Sequence, residues 1–433
     1  MHLLNLPMKF NSNWPEQKNI VVLPILCALF GAGLSLHVLN LSFFLLVIVA
    51  LFRLVTRRAQ SVPLREVYQS FKLLHWAMAS MLVALILSQI GHGYLDLSPY
   101  NPIARLSIFV VLLWVMLNLP LNQLRHLQWA WVVGILLCAI QIYFTELDVN
   151  QPIRPIIENW YVALSSLLGV FSVLSLAWHE RPGKWSVFLH LMGGFCGLYL
   201  IYICQTRGVW AALPLFIVMA YLTFVNNALK IKNIALLLIG IALCGILFFN
   251  TDLARNRMQQ AEQDIQVFAV NKNAQSSIGG RLQLWKAALV MIREHPLIGV
   301  GSGEHYKAAM HDMVDRGVLP TYYNGAHTHN EILYSTATMG IPGLIAILLT
   351  YLVPGYYFAK SLLDLDRQTR AAAAMGFCVC AGFMIFGLVD VLFKYKEAEV
   401  FYCVSCALFF AFIISRKKQL QQEQEQKQTQ SDR

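Results

Sequence analysis

The sequence predicts an all-α integral membrane protein with about twelve transmembrane helices and one large, partly helical loop on one side. Three observations predict it. Of 433 residues, 57% are hydrophobic and only 13% charged. Apolar runs of the roughly 20 residues needed to cross a bilayer core recur along almost the whole chain. The alternating segments of about 10 residues that mark a membrane barrel are absent.

The spans read as 20–36, 38–54, 71–90, 104–121, 127–145, 160–178, 185–204, 209–226, 231–249, 332–357, 371–392 and 399–415. The first ends in "GAGLSLHVLN" and leads straight into the second, so it reads as half of a tight hairpin around His37 rather than as a cleaved signal. With the N-terminus inside, the inner side collects 18 basic residues: Lys9, Lys18, Arg53, Arg57, Arg58, Arg65, Lys72, Arg125, Arg181, Lys184, Lys230, Lys232, Lys360, Arg367, Arg370, Arg416, Lys417 and Lys418. The short outer loops receive five, Arg105, Arg154, Arg207, Lys394 and Lys396. Basic residues favour the cytoplasmic side, so both termini are expected inside. The same bias accounts for the net charge of +10. A nucleic-acid partner is not expected, because no basic cluster is interleaved with stacking aromatics.

Four regions follow: helices one to nine in 1–249, a large outer loop in 250–331, helices ten to twelve in 332–415, and a polar inner tail in 416–433. The tail, "RKKQLQQEQEQKQTQSDR", reads as a frayed or solvated extension. The loop has order of its own. "RNRMQQAEQDIQVFAV" predicts a helix, "NAQSSIGG" a break, and "RLQLWKAALVMIREHP" an amphipathic helix with Leu282, Leu284, Trp285, Ala288, Leu289 and Ile292 on one face. The nine cysteines lie within or beside apolar spans. Cys378/Cys380 and Cys403/Cys406 have no His or Asp partners nearby and read as small core hydrophobes.

The chemistry gathers on the outer side. In "HTHN", just before the tenth span, His327 and His329 stand two apart with Asn330 beside them. A histidine at a span edge can simply cap or anchor a helix. An imidazole titrating near 6.5 can also take a proton at neutral pH. A zinc site is a rival reading, with Glu304, His305, His311 and Glu331 as further ligands, but no recognised zinc spacing is present and no metal is expected. Arg207, in "CQTRGVWAALP", sits in a very short turn between two spans, at lipid-phosphate depth. Snorkelling is the simple explanation; its planar fork of donors also suits a diphosphate. Arg281 follows two glycines in "SSIGGRLQLW" at a helix entry, where anions are favoured. Arg293 lies one helix length later and faces either the same site or solvent. Such a set fits a lipid-diphosphate donor whose sugar is transferred outside the membrane.

Three motifs, "TRGVWAALPLF", "GGRLQLWKAALVMIREHPLIGVGSGEHY" and "HTHNEILYSTATMGIPGLI", together resemble the O-antigen ligase superfamily. That group includes O-antigen ligases, bacterial protein O-oligosaccharyltransferases and some O-antigen polymerases. The resemblance covers roughly residues 200–350 and implies an inverting, metal-independent glycosyltransferase of the bacterial inner membrane with no cofactor and a periplasmic site. It implies an undecaprenyl-diphosphate-linked glycan as donor, and lipid A-core, protein (pilin) or glycan hydroxyls as acceptor. Arg207 and Arg281 would then hold the diphosphate, with Arg293 as a weaker third. His329 would activate the acceptor hydroxyl, supported by His327 and Asn330. The alternative from another class is a transporter or flippase for lipid-linked or anionic substrates. It would show repeats and interrupted helices in matching positions of two halves, and the sequence shows neither.

Overall fold

The structure, a computed structural model, describes residues 21–56, 62–147, 158–271, 277–319 and 327–431. Lys9, Lys18, Arg57, Arg58, Arg154 and residues 273–276 of the expected break lie outside these. The described residues form helices α1 (Val22–Gly31), α2 (Leu39–Thr56), α3 (Leu64–Ser70), α4 (Lys72–His92), α5 (Tyr100–Ile103), α6 (Phe109–Leu117), α7 (Leu121–Leu147), α8 (Asn159–Ser175), α9 (Lys184–Cys204), α10 (Arg207–Phe224), α11 (Ile231–Phe249), α12 (Asp252–Asn271), α13 (Ser277–Glu294), α14 (Glu304–Asp315), α15 (Glu331–Ala359), α16 (Arg367–Gly387) and α17 (Lys396–Ser431). No strand occurs among the described residues. The fold is that of a polytopic helical membrane protein. Among the described residues, nine helical segments are long and apolar enough to cross a bilayer, and three more apolar helices, in α1, α10 and α11, are shorter. All twelve coincide with expected spans. The first is the least complete: α1 has ten residues, about 15 Å of helix, half a bilayer core.

Burial decides which helices are central. α17 is buried from Ala398 to Ile414, and α8 on nearly every face, as expected of helices apolar all round. Small residues let neighbours close in: a Cβ on Gly169 of α8 would lie 3.0 Å from Gly197 of α9. At the periphery, α11 packs on α10 and α12, leaving Leu236, Leu238, Ile239, Leu243 and Ile246 exposed.

α15 is a broken helix. Gly340 takes φ 65°, ψ −155°, a region open only to glycine. The sequence dictates the break, because Pro342 has no N–H to give to Thr338 O. The segment after α13 repairs it: Val300 N–H donates to Ala337 O (2.8 Å), Gly301 N–H to Thr338 O (3.1 Å), and Ile341 N–H to Pro296 O (2.8 Å). Ser88 of α4 adds a bond to Ile298 O (2.7 Å). A small second core of Leu284, Ala287, Ala288 and Met291 from α13, Tyr306, Met310 and Met313 from α14, and Ala337 from α15 completes the attachment. The hydrophilic stretch is thus joined to α15 by backbone pairing and by apolar packing.

Three expectations need correction. The buried face of α13 runs through 284, 287, 288 and 291, while Leu289 is 57% exposed; the face is rotated because the second core lies on one side only. Ser277–Gly280 belong to α13 rather than to a break, so Arg281 stands in its second turn, not at its entry. The tail is helical to Ser431, since Gln, Glu and Lys are good helix formers and pairs such as Gln419–Glu423 (2.9 Å) support it.

Candidate active site

The site begins with the four residues that open α15. Asn330 is the N-cap: its backbone is extended and its side chain accepts from Leu333 N–H (3.0 Å). The Thr328 hydroxyl donates to Asn330 O (2.6 Å) and accepts from Asn330 N–H (3.2 Å). These bonds force a tight turn, and His329 takes a left-handed backbone with φ 48°. Trp285 of α13 ties the turn down by donating to Thr328 O (2.8 Å). The two imidazoles lie with ring centroids 4.3 Å apart. His327 is buried, whereas the His329 side chain is 33% exposed.

Asp390, which the sequence reading passed over, faces both rings. Its Oδ1 lies 3.6 Å from His327 Nε2 and 3.7 Å from His329 Nδ1. It also accepts from Val391 N–H (2.8 Å). The expected eleventh span, 371–392, had swallowed this residue. A carboxylate inside an apolar span is itself a functional signal, and it was there to be used. In fact α16 ends at Gly387 and Asp390 stands just beyond the helix.

Two latches hold Asp390 against the histidines. Before it, Asn330 Nδ2 donates to Leu388 O (3.4 Å). After it, the fully buried Glu331 accepts from Phe393 N–H (2.9 Å), in the 3₁₀ turn Leu392–Lys394. Glu331→Ala is therefore expected to orphan a buried N–H, costing about 1–3 kcal/mol, and to lower activity. Glu331→Gln keeps an acceptor oxygen and should retain most of both. Thermal unfolding of the two purified variants checks this; equal unfolding temperatures would remove the latch.

The electrostatics of the group have a clear direction. His327 Nδ1 accepts from His329 N–H (3.2 Å), leaving the ring proton on Nε2, toward Asp390. Burial, then the neighbouring His329, pushes the His327 pKa well below its usual value, with Lys394 and Arg281 adding to the effect and Asp390 opposing it. Burial alone would raise Asp390, but the two imidazoles and Val391 N–H outweigh it and hold the carboxyl below its ordinary range. The stable state is a neutral His327 beside an ionised Asp390.

Of the expected anion ligands, two come close. Arg207 opens α10 directly after left-handed Gln205 and extended Thr206. Its neighbour Gly208 packs on Val389: a Cβ there would lie 2.2 Å from Val389 Cγ2. The start of α10 therefore sits beside Asp390; the Arg207 side chain lies outside the described atoms. Arg281 stands one turn before Trp285 on α13, and its charge acts on His327. Arg293 is exposed in the last turn of α13, about 18 Å of helix from Arg281; it is not brought to the histidines.

His327, His329 and Asp390 also offer three donor atoms within 4.8 Å of one another, a set that could hold a metal ion. The other residues considered as ligands do not join them. His305 is exposed and stacks on Tyr94 at 3.7 Å, Glu304 and His311 are exposed, and Glu331 is engaged by Phe393 N–H. Cationic Arg281 and Lys394 oppose a divalent ion at this place. The chemistry the group supports directly is proton acceptance by an imidazole that a carboxylate orients.

Fold and site together define a polytopic helical membrane protein with a carboxylate beside two histidines, and comparison with known proteins gives it relatives. Residues 192–348, from α9 into α15, match the family model described as O-antigen ligase. A Haemophilus influenzae protein named only as uncharacterized is 24% identical over 331 residues, 75% of this chain and 80% of its own. The O-antigen ligase of Escherichia coli K12 is 24% identical over 309 residues, 70% of this chain and 69% of that one. Over residues 192–348 the chain is therefore similar to the O-antigen ligase family. The matched stretch contains Arg207, Arg281, His327 and His329; Asp390 lies beyond it.

Proposed function

We propose that the protein transfers an oligo- or polysaccharide from an undecaprenyl-diphosphate donor to an acceptor hydroxyl on the periplasmic face of the inner membrane, with inversion and without a metal. The acceptor is a lipid A-core sugar or a protein hydroxyl such as a pilin serine; extension of a growing glycan, as in an O-antigen polymerase, is the variant reading. The observation that carries it is His329: a partly exposed imidazole, backed by Asp390, beside the start of α10 and the second turn of α13.

In this reading the acceptor oxygen attacks the anomeric carbon as the bond to the diphosphate breaks. Asp390 faces His329 Nδ1 and favours the tautomer protonated there. His329 Nε2 is then the atom that takes the acceptor proton, the arrangement of a histidine oriented by a carboxylate. Undecaprenyl diphosphate departs, its added negative charge met by Arg207 and Arg281. The bias of basic residues supports a cytoplasmic location for both termini, with α12–α14 outside. The transporter alternative has little support: α15 is interrupted, but its freed groups pair with the chain's own segment 296–301.

The test is reconstitution with an undecaprenyl-diphosphate glycan and each acceptor in turn, in excess chelator. Transfer in chelator is the expected result, and the product identifies the acceptor. Vectorial transport without transfer would sink the reading, and a chelator loss restored by zinc, manganese or magnesium would turn the His327–His329–Asp390 group into a metal site. Arg207→Ala and Arg281→Ala are each expected to weaken donor use, with Lys rescuing only in part because an ammonium lacks the bidentate fork. Donor titrations in the same vesicles measure this; unchanged donor saturation in both Ala variants removes the diphosphate assignment.

A further inference from the structure

Basic residues are scarce in the short loops at the histidine end of the bundle, so each one there calls for a local reason. Arg105 is buried and donates to Asn101 O (3.2 Å), to Asn101 Oδ1 (3.0 Å) and to Asn40 Oδ1. Lys396 lies 4.0 Å from Glu397. Arg207 is already assigned to the donor, and Arg154 lies outside the described residues. Lys394 remains.

The chain fixes its place. Val391, Leu392 and Phe393 are buried, and Lys394 is the exposed residue of the turn that follows Asp390. Glu331 holds that turn through Phe393 N–H (2.9 Å). Four residues of chain span at most about 14 Å when extended, and the 3₁₀ turn shortens the path from Asp390 to Lys394. The ammonium charge acts on both Asp390 and His327. Arg281 acts on His327 in the same sense, so the relation that brings Arg281 to the histidines brings Lys394 there too. Another charged neighbour of Lys394, Lys307, is paired with Glu304 (2.5 Å). Lys394 also borders a cavity of about 470 Å³, so open space lies beside it.

The charge balance of the proposed reaction calls for such a group. A diphosphate between sugar and lipid carries about two negative charges, and the departing lipid diphosphate about three. The electron pair of the broken sugar–oxygen bond stays with the leaving group. Arg207 and Arg281 supply two cations, but Asp390 is an anion in the same place and offsets one of them. We propose that Lys394 is a third cation for the donor diphosphate, beside Arg207 and Arg281. This rests on the transferase reading above. A lysine is a compact point charge, suited to charge that grows as the leaving group departs.

The full chain, purified into lipid nanodiscs, is titrated with sodium pyrophosphate by isothermal calorimetry. Pyrophosphate should bind the parent, and Lys394→Gln should weaken it by about 10- to 100-fold, the worth of one hydrogen bond between charged groups. Lys394→Arg keeps the charge and should stay within about 3-fold of the parent. Lys396→Gln, two residues on, should bind as the parent does. The side chains are exposed, so all three variants should elute as the parent does on size exclusion. The rival role for Lys394 is a counter-charge that only neutralises Asp390. On that reading Lys394→Gln costs nothing once Asp390→Asn is present, whereas a direct ligand still shows the loss there. In transfer assays with one substrate varied at a time, Lys394→Gln should lower kcat/KM for the donor by a similar factor and leave the acceptor KM unchanged. A parent that binds no pyrophosphate overturns the proposal. So do equal affinities for parent and Lys394→Gln, disappearance of the effect in the Asp390→Asn background, or a change confined to the acceptor KM. Pyrophosphate binding that depends on Lys394, in a protein that transfers no glycan, would support the site and count against the transferase reading alone.

Discussion

His329→Ala is expected to lower glycan transfer by about 10²–10⁴-fold, the usual worth of general-base assistance, at normal protein level and with donor binding retained. The geometry separates it from its neighbour. His329 is the partly exposed ring, and its Nδ1 is the atom that faces Asp390. His327 is buried, accepts the His329 N–H, and is held neutral by its surroundings. His327→Ala should therefore act through the shape of the turn and cost less. Asp390→Asn should reduce the rate, because the carboxylate that faces His329 Nδ1 is replaced by a neutral amide. Single-turnover transfer for the three variants is the check. Near-parental rates for His329→Ala end the general-base proposal, and a larger loss for His327→Ala means the other ring takes the proton.

The second large effect is structural. Gly340→Ala should yield little folded protein. A Cβ there would lie 2.5 Å from Leu297 C and 2.6 Å from Ile298 N, in backbone that cannot swing aside. The residue also holds dihedrals that only glycine adopts without a cost of about 1–3 kcal/mol. Moving the 296–301 segment would break the three bonds that satisfy the interrupted helix. Gly317→Ala is the control: it too has positive φ, but open space around it, so only the left-handed penalty of about 1 kcal/mol applies. The fraction of monodisperse protein after size exclusion reads the difference. Comparable yields from the two variants would show that the break is not tightly held.

Much of this was legible in the chain. Twelve apolar runs became twelve apolar helices because composition and length are local properties that a bilayer reads directly. "HTHN" and the two arginine motifs were visible for the same reason. Asp390 was not, because only the early end of α16 frees it from an apolar run and only the chain's return to α15 gives it partners. The rotation of the α13 face, the repair of α15 at Gly340 and the role of Glu331 all depend on segments distant in sequence meeting one another. The helical tail differs for the opposite reason: its helix is local, but a polar composition fits a solvated coil and an exposed helix alike.

α11 differs from every element near the histidines in what holds it. Its main protein partners are α10 and α12, and Leu236, Leu238, Ile239, Leu243 and Ile246 are left exposed. Nineteen residues make about 28 Å of helix, close to the hydrocarbon thickness of an average bilayer. Its tilt is therefore set by hydrophobic matching more than by side-chain interlock, whereas α12 also packs on α13. Thinner or thicker membranes should reorient 231–249 while α12 and the turn at His329, fixed between α13, α15 and α16, keep their places. The protein thus joins a rigid centre to a peripheral helix whose tilt the surrounding lipid composition decides.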